Sequence, residues 1–221
     1  MGLINFFKDL KELLSINMDK QLHIPYGISD IGEEFRKKDF SKDNLKIIMI
    51  SEYSQFLDNY TPIFAVNECN KEEMAIQLDL YGKGRDLKKI IQCINNQNCP
   101  NIQYKGEIED TKDILKNYDL FFTASYSTDI QFNTIEALRA GLPVILTDVK
   151  GNGASEFING NGYLIPENCI MHLRKILKGL YEDKSQLAVM GQNSRKLYEE
   201  KFTAKQMAEK TLEVYKEVLG E

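Results

Sequence analysis

Apolar and polar residues follow one another along this chain in two rhythms, short β-rich runs and longer stripes at helical spacing. The runs LKIIMI (45–50), QLDLY (77–81), IQY (102–104), DLFFT (119–123), PVILT (143–147) and GYLI (162–165) read as strands. Between them Leu87, Ile90, Ile91 and Ile94 recur at helical spacing, as do Ile135, Leu138 and Leu142. Helical crossovers make neighbouring strands parallel and cover a sheet on both faces. The expected fold class is therefore α/β, a doubly wound, mostly parallel, Rossmann-like sheet. Past the last strand, helical segments at roughly 168–181, 184–201 and 203–219 carry stripes such as Leu173, Ile176, Leu177 and Leu180. Thr203 and Gln206 give the last of these a capping-box start, and Gly220 after Leu219 fits its end.

The first residues, MGLINFFKDLKELL, place Ile4, Phe6, Phe7, Leu10, Leu13 and Leu14 among Lys8, Asp9, Lys11 and Glu12. Charges at that density exclude a signal peptide or a membrane span and leave an amphipathic helix. Residues 1–21 are taken as this segment and 22–221 as one α/β domain, since no repeat, low-complexity tract or long linker divides them. Three roles stay open for the segment: packing on its own domain, peripheral contact with a membrane, or contact with a domain this chain lacks. A length of 221 residues at 43% hydrophobic content suits a well-buried core. A net charge of −5, without a Lys/Arg cluster, excludes the electrostatic footprint of a nucleic-acid binder. Cys69, Cys93, Cys99 and Cys169 form no C-x-x-C pair and stand far from His23 and His172, so no zinc site is expected. Scattered thiols of this kind suit a cytoplasmic protein, with the inner membrane face as the place where an amphipathic contact would act.

In an open parallel sheet the carboxyl ends of the strands and the helix starts that follow converge on one edge, the default ligand crevice. The loops on that edge are Ser51 to Tyr60, Gly82 to Arg85, Lys105 to Asp110, Ala124 to Phe132 and Asp148 to Glu156. The turn Tyr81-Gly82-Lys83-Gly84-Arg85 lets backbone approach a ligand closely, or simply makes a tight turn; it lacks the third glycine of a dinucleotide fingerprint. The polar loop leading to Phe132, Asn133 and Thr134 feeds a short helix whose first N–H groups would face the crevice and suit a pyrophosphate. Glu136, one turn in, suits vicinal sugar hydroxyls. With Asn133 as N-cap, Glu136 would instead reach back and cap the helix.

The run T-I-E-A-L-R-A-G-L-P-V-I-L-T-D-V-K-G-N-G-A-S-E-F-I-N-G-N-G-Y-L-I resembles the donor-binding signature of retaining group-1 glycosyltransferases of the GT-B fold. His23-Ile24-Pro25-Tyr26-Gly27-Ile28 resembles their interdomain turn, Tyr81-Gly82-Lys83-Gly84 their strand-end G-x-G, Ile102 to Glu107 the stretch near the base, and Phe202 to Leu219 their closing helix. The likeness spans roughly residues 22 to 219. It implies that 22–221 is a nucleotide-sugar-binding domain, that Glu136 holds the ribose, and that Ile130, Gln131, Phe132, Asn133 and Thr134 lie against diphosphate and hexose. Gly82 and Gly84 would line the site, and Lys105, Gly106 and Glu107 would approach the base. No separate cofactor and no metal are implied, the nucleotide-diphosphate sugar being the donor substrate.

Three departures from the family pattern matter. The family's paired glutamates stand eight positions apart; the first falls on Thr128, with Asp129 as the nearest carboxylate, so Thr128 and Asp129 become the candidate catalytic positions. The loop 51–60, where relatives place an arginine and a lysine to neutralise the diphosphate, holds no cation, although that charge needs compensation in a partly dry site. The amino-terminal acceptor domain is absent, so residues 1–21 are read as its remnant or its contact, and this chain alone is expected to be incomplete or weakly active. The leading expectation is a hexosyltransferase donor domain serving a glycan, lipid or protein acceptor, in polysaccharide biosynthesis among other settings. The alternatives are a non-catalytic relative that binds or stabilises a partner transferase, and a piece of a longer enzyme.

Overall fold

The computed structural model describes residues 22, 24–30, 40, 43–54, 58–123, 131–149 and 153–219. The expectations for residues 1–21, His23 and Gly220 lie outside them.

Six strands, β1 (Leu45–Glu52), β2 (Ile76–Lys83), β3 (Ile102–Gly106), β4 (Leu120–Thr123), β5 (Val144–Asp148) and β6 (Gly162–Pro166), form one sheet in the order β3-β2-β1-β4-β5-β6. Every pairing is parallel. Each strand begins and ends within two residues of the run that predicted it; in the central strands β4 and β5 the reason is that a strand covered on both faces reads as a nearly unbroken apolar stretch. Leu45, Ile47 and Met49 of β1 enter one core cluster while Ile48 and Ile50 enter the other.

Seven α-helices are described: α1 (Thr61–Lys71), α2 (Leu87–Gln97), α3 (Lys112–Leu115), α4 (Gln131–Arg139), α5 (Ile170–Glu182), α6 (Ser185–Lys201) and α7 (Ala204–Leu219). The first core cluster joins Ile63 and Val66 of α1, Ile90 and Ile94 of α2, and Leu173, Leu177 and Leu180 of α5. On the other face Leu115 of α3, Ile135 and Leu138 of α4, and Leu197 and Tyr198 of α6 meet Phe121, Val144 and Leu146. Burying each such side chain contributes about 1.5–3 kcal/mol before entropy is counted. The polar loop expected over Asp148 to Glu156 contains the start of a 3₁₀ turn, Ala154–Phe157.

The capping box forms as its spacing predicts: Thr203 N–H donates to Gln206 Oε1 at 3.1 Å and Gln206 N–H to Thr203 Oγ1 at 3.3 Å. Beside it lies the segment 24–30. Ile28 N–H donates to the Phe202 carbonyl at 3.0 Å, Ala204 N–H to the Ile28 carbonyl at 2.9 Å, and Tyr198 Oη–H to that same oxygen at 3.0 Å. Asp30 is held by both Nη atoms of the buried Arg195. Among the described residues no helix is long and apolar enough to cross a membrane.

Candidate functional site

Strands β1 and β4 are neighbours in the sheet, and the chain leaves them toward opposite edges, so their carboxyl ends define the point where the winding reverses and a crevice opens. The loop after β1 is knitted into the protein. Tyr53 is fully buried, its N–H donates to the Lys83 carbonyl at 2.7 Å and its hydroxyl to the Tyr81 carbonyl at 2.9 Å. Asp58 and Asn59 are buried too. Asp58 Oδ1 accepts from Thr61 N–H at the start of α1 (3.2 Å) and Oδ2 from Asn168 N–H (2.9 Å), while Asn59 Oδ1 accepts from Ser51 Oγ (3.0 Å). The polar residues at this position of the fold therefore serve the loop itself.

Gly82 and Gly84 have φ of 123° and 150°, and a Cβ on them would meet Ser51 O at 1.9 Å and Tyr53 O at 2.2 Å. Their lack of a side chain is used first by β1, whose end presses against them, which is the tight-turn reading of this motif. Gly106 differs: its φ is 106° and a Cβ there would meet nothing within 4 Å, leaving its backbone open at the end of β3. Beside it Glu107 pairs with Lys83 at 3.4 Å. Lys105 turns back to Gln103 Oε1 (2.7 Å) and toward Asp79 Oδ1 (3.9 Å). Asp79, buried under this strand end, accepts from Tyr118 Oη–H at 2.7 Å. Burial first, then the hydrogen bonds to Tyr81 and Asp79, hold the Tyr118 phenol protonated well above its usual range.

Helix α4 begins at Gln131, two residues before the expected N-cap. Asn133 is thus inside the first turn and Glu136 in the second, where it faces Arg139 and Thr111, and the expected capping contact gives way to these. The Glu136 side chain is 25% exposed, so solvent reaches it. Burial pushes its carboxyl up from the ordinary value; the adjacent Thr111 hydroxyl and the Arg139 guanidinium at 3.9 Å oppose this, and Asp110 adds to it. Thr111 Oγ1 lies beside the carboxylate without closing a hydrogen bond of ordinary geometry. Phe132 is 53% exposed and its ring centroid lies 5.1 Å from that of Tyr26, so the 24–28 turn reaches the start of α4. Thr134 is fully buried and offers the crevice no side chain. Thr128, Asp129 and Ile130, together with the Gln131 side chain, lie outside the described residues.

Two of the sequence-predicted segments thus meet: the loop after β3, through Asp110 and Thr111, and the carboxylate of α4. The glycines of β2 lie with β1 instead. Sequence reasoning missed Arg139, three positions beyond Glu136 on the same helix; that spacing was the only signal. His172 stands exposed on α5. Among the described residues no group of three or more His, Cys, Asp or Glu gathers to hold a metal ion.

A family model described as glycosyl transferases group 1 matches residues 53–183. Over 164 residues, 70% of this chain, the sequence is 32% identical to the UDP-N-acetylglucosamine–peptide N-acetylglucosaminyltransferase GtfA subunit of Streptococcus pneumoniae, and the match covers 32% of that protein. The chain thus spans about one third of that relative's length. The fold is similar to that of the pneumococcal O-GlcNAc transferase GtfA in complex with UDP and GlcNAc, with a TM-score of 0.75 and 25% identity over 100% of this chain and 45% of that one. It is similar as well to the GtfA/B complex, at a TM-score of 0.77 and 26% identity over 97% of this chain and 44% of the other.

Proposed function

This chain belongs to the group 1 glycosyl transferases, and from that premise we propose that it forms the nucleotide-sugar-binding half of a GT-B enzyme that uses a UDP-sugar. The observation that carries the reading is the position of Glu136: a partly exposed carboxylate on the helix that follows β4, at the reversal of the sheet's winding. There an ionised carboxylate accepts two hydrogen bonds from the vicinal ribose hydroxyls, and the open backbone at Gly106 leaves room for the base. The first turn of α4 supplies N–H donors and the positive end of a helix dipole to the diphosphate. The similarity to a transferase crystallised with UDP favours uridine among the bases.

Transfer proceeds with retention at the anomeric carbon to a glycan, lipid or protein acceptor, with Asp129 and Thr128 beside the hexose. The acceptor half lies in chain or subunit beyond these residues. Titration calorimetry with UDP, UDP-N-acetylglucosamine, UDP-glucose and GDP tests the reading: uridine nucleotides bind, and Glu136→Ala weakens them at least about tenfold. Absence of binding by any of them at millimolar concentration removes it.

One observation favours a second reading, in which the chain assists an active partner rather than transferring sugar itself. The loop 51–60 carries no Lys or Arg, and its buried Asp58 and Asn59 are committed to structural hydrogen bonds, so the leaving diphosphate lacks its expected counter-charge there. The complex formed by GtfA and GtfB is a precedent among similar proteins. Sugar transfer by this chain without any partner would dismiss the second reading; binding without transfer, with activity restored by a co-purifying subunit, would establish it.

A further inference from the structure

Arg139 lies within the run that resembles the donor signature, and it stands at a junction to which that resemblance assigns no role. Its side chain is only 12% exposed. Nη1 donates to the Ser29 carbonyl oxygen at 2.9 Å, and Nη2 lies 3.9 Å from Glu136 Oε1. The Arg139 carbonyl accepts from Arg195 Nη1 at 3.1 Å, and Arg195 also grips both carboxylate oxygens of Asp30, at 3.0 and 2.5 Å. With the Tyr26–Phe132 ring contact, the segment 26–30 is tied to α4 or its neighbour α6 at Tyr26, Ser29 and Asp30. Among these ties, the Arg139 side chain alone reaches both the segment and the Glu136 carboxylate.

We propose that Arg139 is the positioning residue for Glu136: anchored on the Ser29 carbonyl, its guanidinium fixes the carboxylate at the crevice, and ribose binding depends on segment 26–30 being seated. The inference rests on the ribose-binding role of Glu136 given above. A guanidinium is planar and its donors point in fixed directions, so once Nη1 is committed to a main-chain oxygen the place of Nη2 is set. That oxygen belongs to a segment itself pinned by Ile28 to Phe202 and Ala204. A separation of 3.9 Å is a charge contact rather than a hydrogen bond, which leaves both oxygens of Glu136 free of Arg139 to accept from a diol. The other groups facing the carboxylate are Asp110, which opposes its ionisation, and the Thr111 hydroxyl, which favours it.

The test measures two quantities on the native chain, R139M and R139K: the titration of the Glu136 carboxyl carbon by NMR, and calorimetric binding of UDP and of 2′,3′-dideoxy-UDP. In R139M the Glu136 midpoint moves upward and UDP binds about tenfold more weakly, while the dideoxy nucleotide, which has no hydroxyls to offer, binds as before. R139K keeps the charge but cannot reach Ser29 and Glu136 together; it leaves the midpoint near the native value and loses about threefold in UDP affinity, again without effect on the dideoxy form. Thermal unfolding shows that each variant is folded, and R139K carries the nucleotide comparison if R139M is not. An unmoved midpoint in R139M, or equal losses for the two nucleotides in either variant, overturns the proposal. Failure of the native chain to bind UDP, together with a moved midpoint, sinks the ribose role of Glu136 and leaves the hold of Arg139 on its carboxylate standing.

Discussion

Glu136 is asked to do two things that oppose each other. A carboxylate that binds a diol must be ionised, yet its partial burial favours the protonated form and raises its folded pKa above that of the unfolded chain. A group shifted in that direction contributes stability that is full below the unfolded carboxylate range and is lost as the pH rises through the folded value. At neutral pH the free protein therefore carries a stability cost at this residue. Glu136→Gln removes it: thermal melting of the variant is expected above the native chain at neutral pH, the difference closing as the pH falls below the carboxylate range, while UDP affinity drops. A melting temperature lowered at neutral pH would contradict this account. Glu136 was legible in the sequence because it stands within a long motif, the run from Thr134 to Gly141 and beyond. Arg139 stands in the same run, but its role was not legible there, since it comes from Ser29, which is 110 positions away in the chain and close only after folding.

Elements differ in how openly the sequence declares them, and burial decides which. The central strands β1, β4 and β5 read clearly because both of their faces are covered, while the edge strands β3 and β6 were marked by short runs of strand-forming residues. The crossover helix α1 went unread: Thr61, Pro62, Ile63, Ala65, Val66, Asn67 and Cys69 are all buried, so apolar and polar residues share its hidden surface and no clean stripe survives. Its start depends on the preceding loop, where one carboxylate, Asp58, serves Thr61 N–H and Asn168 N–H at once. Asp58→Ala leaves both donors without that acceptor and is expected to cost about 2 kcal/mol, with Asp58→Asn near half of that, as measured by urea unfolding. A loss below about 0.5 kcal/mol would mean that water replaces the carboxylate at both ends. The start of α4 was placed too late for a related reason: Asn133 has the chemistry of an N-cap, but Gln131 and Phe132 are already helical ahead of it.

At the scale of the whole molecule, the resemblance visible in the sequence identified the family, and the match to residues 53–183 agrees. The sequence placed the segment 24–30 with the sheet domain; what pattern alone did not convey is which contacts hold it there. It forms a parallel bridge between Ile28 and Thr203, and Arg195, 10% exposed at its side chain, meets Asp30 with two nitrogens. Because Asp30 is 45% exposed, the pair is worth less than a fully buried one; Arg195→Met is expected to cost about 2 kcal/mol in chemical denaturation, and a neutral result would show that α6 packs as well without it. The same latch decides where this protein can be cut. A recombinant boundary drawn at the first strand, near Leu45, would sever Asp30 from Arg195 and strip the Ile28 contacts from Tyr198 and Ala204. The folding unit takes in the segment from Tyr26 onward, and versions that start at Leu45 are expected to express as insoluble material.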